Sequence, residues 1–229
     1  MHWVRGMFAD GRSPRDPREA LIARLRSDPS LSPAAIEAIG AVPREEFVPP
    51  DYRSLAYEDA ALEIGPLATI SAPSMVAAML TVMDLRPGMK VLEIGAGSGY
   101  AAATVAAMEA SVIGLELQPE LAESARRNLE LAGFADRVQV VAADGAQGWA
   151  AEAPYNRILV SAAIDAVPQD WMAQVVVGGM IVYPEAGVGE DVLIRLTRLE
   201  DGWRRQEMGR CRFVRMQLGG RRPDVADYE

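Results

Sequence analysis

The chain has 229 residues, of which 50% are hydrophobic and 24% charged, a composition typical of a compact folded protein and not of a disordered or collagenous one. With one histidine, His2, near the N-terminus and one lysine, Lys90, the sequence gives no support to a Ser-His-Asp triad, a multi-histidine zinc site or a P-loop. Cys211 is the only cysteine, so no intramolecular disulfide forms. We expect no metal site, and chemistry that needs no histidine base.

The net charge of −9 opposes general adsorption to nucleic acids or anionic membranes. Residues 195–222 depart from this balance, because nine arginines against three acids give them +6. They form either a solvated arginine-rich hairpin or a docking surface for an acidic substrate. No apolar run reaches about 18 residues, and residues 1–10 lack the long apolar stretch of a signal peptide. We therefore expect a cytoplasmic monomer that binds neither nucleic acid nor membrane.

The first third of the chain predicts helices and an irregular connection. Apolar spacing interrupted by Asp-Pro and Ser-Pro predicts two short helices within residues 17–39. Residues 40–63, rich in proline and acids, predict an irregular connection of the kind that often carries function. Residues 73–85 predict a buried helix with Ser71 as its N-cap and Pro73 just inside it.

From residue 86 onward, strand and helix patterns alternate. Helices are expected at residues 101–108 and 119–132, and strands at residues 90–94, 111–115, 138–142, 157–160, 179–183, 192–199 and 206–218. The alternation predicts an α/β fold with a doubly wound, Rossmann-like sheet of about seven strands, mostly parallel, whose last two strands form an antiparallel hairpin. The expected divisions are a helical cap and substrate-side segment (1–85), the core (86–218) and a polar tail (219–229).

The strongest local motif is a buried strand that enters a glycine-rich turn and then a helix, at residues 91–100. Glycines allow close backbone approach to a ligand and expose amide donors at the helix N-terminus. The spacing is Gly-x-Gly-x-Gly at Gly95, Gly97 and Gly99, and Tyr100 stands where a dinucleotide fingerprint requires glycine. The motif therefore favours a ligand other than a dinucleotide.

Three acidic residues lie at predicted strand ends around this loop. Glu93 precedes the first glycine by two positions. Glu116 follows the second strand, where a carboxylate can accept both hydroxyls of a ribose. Asp144 follows the third, where it could accept from an adenine amino group. The set suits a nucleoside without a pyrophosphate, which describes S-adenosylmethionine, and the alternative is a sheet whose turns happen to hold acids and glycines.

Four further strings carry a more specific resemblance: VPREEFVP at 42–49, YED at 57–59, TISAP at 69–73 and RFV at 212–214. With the core between them, the chain resembles the protein-L-isoaspartate O-methyltransferase family from about residue 20 to residue 218. The resemblance implies transfer of a methyl group from S-adenosylmethionine to the carboxylate of an L-isoaspartyl residue, which starts the repair of damaged proteins or peptides through a succinimide. A carboxylate is ionised at pH 7 and attacks the methyl group directly, so the reaction needs no histidine.

The resemblance also implies the site. Ser71, the candidate catalytic residue, would lie beside the sulfonium and the incoming carboxylate. The candidate cofactor-binding residues belong to the glycine loop and the neighbouring strand ends: Ile70, Glu93, Gly95, Ala96, Gly97, Ser98, Gly99, Glu116, Leu117, Asp144 and Gly145. The candidate substrate-binding residues are Ala68, Thr69, Val214 and Arg215.

The chain departs from the family pattern mainly on the substrate side. On the substrate side, Leu67 and Ala68 replace a Gly-Gln pair, Ser74 replaces a histidine and Arg215 replaces a proline. Elsewhere, Asn156 replaces an aspartate and Ser161 replaces a threonine. The loss of the glutamine amide at Ala68 removes a donor and an acceptor from the predicted mouth. Three alternatives therefore stay open: a relative that methylates an aspartate in one dedicated peptide or protein, an RNA base methyltransferase on a similar core, and a catalytically degenerate fold that serves as a binding module.

Overall fold

The computed structural model describes residues 16–217 and residue 219. His2 and all of the expected polar tail except Gly219 lie outside these residues. Within the part described, no helix combines the length and the apolar character needed to cross a membrane. The described helices are α1 (Pro17–Arg26), α2 (Pro33–Ala41), α3 (Pro73–Met83), α4 (Tyr100–Ala107), α5 (Pro119–Ala132) and α6 (Gln169–Ala173).

The first helices begin where short polar side chains cap them. The side chain of Asp16 accepts from the Arg18 amide at the start of α1, and that of Ser32 accepts from the Ala35 amide at the start of α2. The predicted cap of α3 is wrong, because the N-cap position falls on Ala72 and not on Ser71.

The start of α3 instead takes its acceptor from outside the helix. Asp59 Oδ1 accepts from the Ser74 amide at 2.9 Å. A carboxylate at this end also complements the helix dipole. The hydroxyl of Ser71 is therefore not used as a cap, and the loop before α3 is positioned by residues from the 42–59 region.

The predicted sheet is confirmed. Its seven strands are β3 (Lys90–Ile94), β4 (Ser111–Glu116), β5 (Val138–Ala142), β6 (Tyr155–Val160), β7 (Val175–Glu185), β8 (Asp191–Arg198) and β9 (Trp203–Cys211). They lie in the order β5-β4-β3-β6-β7-β8-β9. Pairings from β5 to β7 are parallel, while β7–β8 and β8–β9 are antiparallel.

A two-stranded hairpin within residues 62–70 was not predicted. Strands β1 (Leu62–Gly65) and β2 (Ala68–Ile70) pair antiparallel, and the turn between them holds Leu67 at a φ of 57°. Left-handed backbone is unfavourable for a leucine, and the side chain is 76% exposed. The hairpin thus places a strained, exposed apolar residue at its tip.

Both faces of the sheet carry a hydrophobic core. Val91 and Leu159 belong to the cluster that includes the helices α1 to α5, whereas Leu92 and Ile158 belong to the cluster around Trp171 on the other face. Glu93 follows Val91 by two residues, so it faces the helical cluster. The expected boundary at residue 85 crosses this cluster, and the division into segments stays a prediction.

The chain after β9 leaves the sheet edge earlier than predicted. The expected strand at 206–218 is displaced, because β9 ends at Cys211 and Asp191 Oδ2 then accepts from the Phe213 amide at 2.8 Å. The following segment pairs with the loop after β6: the Ala163 amide donates to Val214 O at 2.8 Å, and the Met216 amide to Ala163 O at 2.9 Å. Residues 214–216 are thereby held beside the carboxyl end of β6.

Candidate active site

The strand order reverses between β3 and β6, and in an open α/β sheet a ligand lies outside the carboxyl ends of the strands at such a point. The loop at residues 95–99 follows β3 there. The Gly95 and Ala96 amides both donate to Leu115 O, at 2.8 and 2.9 Å. Gly97 has a φ of 55°, a left-handed conformation that favours glycine. A Cβ added to it would also lie close to Ile64 Cδ1, at 3.2 Å. The loop is therefore fixed to the next strand and open to close backbone approach.

Glu116, the last residue of β4, is oriented by two backbone amides. Its Oε2 accepts from the Gly97 amide at 2.8 Å and its Oε1 from the Gln118 amide at 3.0 Å. A carboxylate has about four acceptor positions, so each oxygen keeps capacity for a further donor. This arrangement suits the two hydroxyls of a ribose.

Glu93 is buried beside the loop and lacks a partner for one oxygen. Its Oε1 accepts from the Ser161 hydroxyl at 2.7 Å, while Oε2 has no hydrogen-bond partner. The pKa of Glu93 is raised to about 8, mainly by burial and to a smaller extent by the nearby Glu116 carboxylate, while the Ser161 hydroxyl and the Ala102 amide act to lower it. An unpartnered buried carboxylate oxygen at the start of α4 fits a cationic donor, such as the ammonium group of a methionine moiety.

Two adjoining cavities occupy this end of the sheet. The larger, about 640 Å³ including its open mouth, is lined by Glu116 and Leu117 and also by Val214 and Arg215. The smaller, about 330 Å³, is lined by Ser71 and Glu93. Residues lining both are Thr69, Gly95, Gly97 and Ser161. The nucleoside-type features and Ser71 therefore lie in two cavities that adjoin and share part of their lining.

Most of the predicted site residues are brought together here. Those that line the larger cavity are Ala68, Thr69, Gly95, Gly97, Glu116, Leu117, Gly145, Val214 and Arg215. Those that line the smaller are Thr69, Ile70, Ser71, Glu93, Gly95, Ala96, Gly97 and Ser98. Gly145 lies so close to the strand that a Cβ on it would be 2.6 Å from Ile94 Cγ2.

Two predicted cofactor residues, Gly99 and Asp144, line neither cavity. Gly99 is the left-handed N-cap of α4, and a Cβ on it would press on Leu129 at 3.3 Å. Asp144 Oδ1 accepts from the Ala146 amide at 3.0 Å, and its Oδ2 accepts from the Gly219 amide at 2.9 Å. Both Asp144 oxygens thus already have backbone donors, and its role toward an adenine stays a prediction.

Sequence reasoning missed Arg44, which lies fully buried beneath the Ser71 loop. Its guanidinium donates to Ser71 O at 2.8 Å and to Ala60 O at 3.2 Å, and lies 4.8 Å from the centre of the Tyr100 ring. Burial lowers the pKa of Arg44 from its usual value. The VPREEFVP string was the available signal, but a buried arginine is too rare to be predicted as a positioning residue.

Ser161, Gln118 and Met216 also line the site and were not predicted. Ser161 follows β6 and donates to Glu93, while Gln118 Nε2 donates to Pro66 O at 3.1 Å and ties the β1–β2 hairpin to the cofactor side. Their positions follow from the register of the sheet and from the hairpin, neither of which the sequence pattern specifies.

The departures from the family pattern fall into two groups. Leu67, Ala68 and Arg215 line the mouth of the larger cavity. Ser74 lines neither cavity, and its backbone amide serves the start of α3. Three of these four positions therefore line the larger cavity, and Ser161, where the family has a threonine, lines both cavities.

A parallel sheet with a glycine loop after β3 and an acidic residue at the end of β4 defines a class I, S-adenosylmethionine-type methyltransferase fold. The family model described as protein-L-isoaspartate(D-aspartate) O-methyltransferase matches residues 16–220. A protein-L-isoaspartate O-methyltransferase of Methanopyrus kandleri is 46% identical over 213 residues, which cover 91% of this chain and 94% of that protein. Protein-L-isoaspartate O-methyltransferase 2 of Archaeoglobus fulgidus is 45% identical over 203 residues, covering 86% and 91%.

Solved structures agree with this assignment. A protein-L-isoaspartate O-methyltransferase structure superposes with a TM-score of 0.80 at 30% identity, covering 87% of this chain and 66% of that one. A Plasmodium falciparum structure described as the same enzyme in complex with S-adenosyl-L-homocysteine has a TM-score of 0.78 at 20% identity, covering 88% and 99%, and shows the shared fold. The chain belongs to the protein-L-isoaspartate O-methyltransferase family, as the sequence strings predicted.

Proposed function

We propose that this chain methylates the carboxylate of L-isoaspartyl residues in damaged proteins or peptides, with S-adenosylmethionine as the methyl donor, and so starts their repair through a succinimide. The observation that carries the proposal is the lining that the two cavities share. Glu116 lies in one and Ser71 in the other, and the lining shared by both includes Thr69 and Ser161. A nucleoside cofactor and a carboxylate substrate can therefore meet within one site.

The residues present fit this cofactor. Glu116 would hold the ribose hydroxyls, the unpartnered Oε2 of Glu93 would face the ammonium group, and Gly97 permits close approach. When bound, S-adenosylmethionine supplies an electrophilic methyl group. Its positive charge also complements the buried carboxyl of Glu93, whose pKa the neighbouring Glu116 carboxylate helps to raise.

The protein's task toward the substrate is orientation. The carboxylate is already ionised at neutral pH, so no base is needed and effective positioning supplies the catalytic advantage. Ser71 is the group we assign to this task, because its hydroxyl is not used as a helix cap and its backbone oxygen is held by Arg44. A hydroxyl donor beside the reacting carboxylate orients one oxygen while the other attacks.

The test is methyl transfer from labelled S-adenosylmethionine to a short isoaspartyl peptide and to its ordinary aspartyl twin, with S-adenosylhomocysteine binding measured by calorimetry in parallel. We expect the isoaspartyl peptide alone to be labelled. Binding without transfer to either peptide would reject general isoaspartyl activity and favour a dedicated substrate or a binding module. Absence of binding would overturn the enzymatic proposal.

We further propose that the protein works as a cytoplasmic monomer without nucleic acid or membrane partners. The net charge of −9 supports the absence of nucleic acid and membrane partners, since it opposes association with polyanionic surfaces. Light scattering of the eluting protein should give the mass of one chain, and a mass of two chains would reject the monomer.

A further inference from the structure

The mouth of the site contains an unusual cation. Arg215 is the only arginine or lysine among the described residues that line either cavity, which also contain the carboxylates of Glu93 and Glu116. The chain as a whole carries −9. Arg215 therefore offers the one cationic side chain on this described lining to a carboxylate of a peptide that enters the site.

The backbone fixes where this cation stands. Arg215 pairs with Ala163 in a parallel bridge, so its position is tied to the carboxyl end of β6. Its Nη1 donates to Asp165 Oδ1 at 2.7 Å. The side chains of Arg215 and Asp165 are 59% and 90% exposed. An ion pair this exposed contributes little to stability, so another carboxylate can replace Asp165 at small cost.

Arg215 does not belong to the lining of the cavity that holds Ser71. Ser71 lines the smaller cavity and Arg215 only the larger one, and Thr69 and Ser161 are among the residues that line both. Contact with Asp165 directs the charge toward the protein surface. A guanidinium bound to the reacting carboxylate would also occupy its lone pairs and weaken it as a nucleophile. The cation is therefore placed for a side chain next to the isoaspartyl residue.

We propose that Arg215 makes this enzyme prefer isoaspartyl substrates with an acidic residue beside the isoaspartyl residue, and that Asp165 competes with that acidic residue for the guanidinium. The proposal rests on the proposed function and adds a substrate preference to it. The acidic side chain binds in place of Asp165 by a charge-assisted hydrogen bond, which no proline at this position could donate.

The experiment uses isoaspartyl peptides that are identical except for a Glu, Gln or Lys on either side of the isoaspartyl residue. At low ionic strength we expect kcat/KM to be about two- to fivefold higher for Glu than for Gln on the preferred side, and lowest for Lys. Arg215→Gln should remove the preference and Asp165→Asn should enlarge it. The preference should shrink at high salt, because the pair is exposed.

Arg212→Gln is the matched control. It removes the same charge from an exposed arginine whose side chain donates to Gly189 O and which lines neither cavity. This variant should keep the wild-type preference. A loss of preference equal to that of Arg215→Gln would show a general charge effect and overturn the assignment to Arg215.

Peptide binding gives a readout independent of turnover. The anisotropy of the same peptides, carrying a fluorophore, is measured on protein saturated with S-adenosylhomocysteine. Equal methylation and equal binding of the Glu and Gln peptides would overturn the preference while isoaspartyl methylation stands. If no peptide is methylated, the proposed function fails, and an Arg215-dependent difference in binding would still support the acidic preference, whereas equal binding would reject it.

Discussion

The cofactor side and the substrate mouth of this site are built by different means. On the cofactor side, amides of the glycine loop are bonded to the backbone and side chain at the end of β4, as Gly95 to Leu115 and Gly97 to Glu116. The mouth depends on a hairpin tip and on an exposed ion pair between Arg215 and Asp165. Sheet geometry thus constrains the cofactor side more than the mouth, and three departures from the family pattern, at Leu67, Ala68 and Arg215, lie in the mouth.

The largest effect is expected from Glu116→Ala. The change removes the acceptor for two ribose hydroxyls and leaves the Gly97 and Gln118 amides without their partner. Each hydrogen bond to a charged group contributes about 1.5–3 kcal/mol, so affinity for S-adenosylhomocysteine should fall by about 100-fold or more. Calorimetry measures this affinity. The control is Glu120→Ala, which removes an exposed carboxylate at the start of α5. A loss below about threefold would contradict this role.

Arg44→Met should lower kcat much more than it lowers affinity for the cofactor. Without the guanidinium, Ser71 O and Ala60 O lose their donors, and we expect the free energy of unfolding to fall by about 1–3 kcal/mol. The folded variant should lose about tenfold or more in kcat while cofactor affinity changes by less than threefold, because Arg44 contacts the Ser71 loop. Urea unfolding, kinetics and calorimetry test this together, and Arg44→Lys should recover part of the loss. Equal losses in kcat and cofactor affinity would refute a positioning role.

Glu93→Gln should alter the pH dependence of stability without bound cofactor. In the unfolded chain this carboxyl ionises near its ordinary value of 4.5, whereas in the fold its pKa is about 8. The wild type therefore loses stability as pH rises from 4.5 to 8, since the unfolded state releases the proton first. The variant has no such carboxyl and should melt close to wild type at pH 5 but several degrees higher at pH 8.5. Parallel thermal profiles would contradict the raised pKa.

The smallest effect concerns the strained hairpin tip. Leu67→Gly removes a left-handed leucine that costs about 1 kcal/mol, and glycine entropy offsets part of the gain, leaving about 0.5 kcal/mol. The control is Glu109→Gly. Glu109 has a similar left-handed φ of 63°, is exposed and lines neither cavity. Both variants should gain stability in urea unfolding. Only Leu67→Gly should raise KM for an isoaspartyl peptide, and an equal KM in both would show that the tip makes no substrate contact.

The sequence predicted the centre of the sheet better than its edges. The bounds of β3, β5 and α5 agree with the structure, because each is an apolar pattern bordered by glycine, proline or charge. Strand β9 was placed too late because its side chains are mostly exposed and give no clear alternation. The β1–β2 hairpin was missed because its strands are four and three residues long.

The site residues, too, could be predicted only where a local sequence pattern indicates them. Glu116 and Gly97 could be predicted because the carboxyl ends of parallel strands meet at one edge. Arg44 could not, since its role depends on a carbonyl 27 residues away along the chain. The pairing of Arg215 with Ala163 likewise joins distant segments after a strand whose end was misplaced. Contacts between loops far apart in sequence leave no local pattern to read.

The most direct test of the account is to locate the methyl group on a peptide that contains one isoaspartyl and one ordinary aspartyl residue. Fragmentation mass spectrometry after a short incubation with S-adenosylmethionine and the enzyme reports both carboxylates in one molecule. The account predicts a methyl ester at the isoaspartyl residue alone. A methyl group at the ordinary aspartate, or on neither residue while S-adenosylhomocysteine binds, would contradict it.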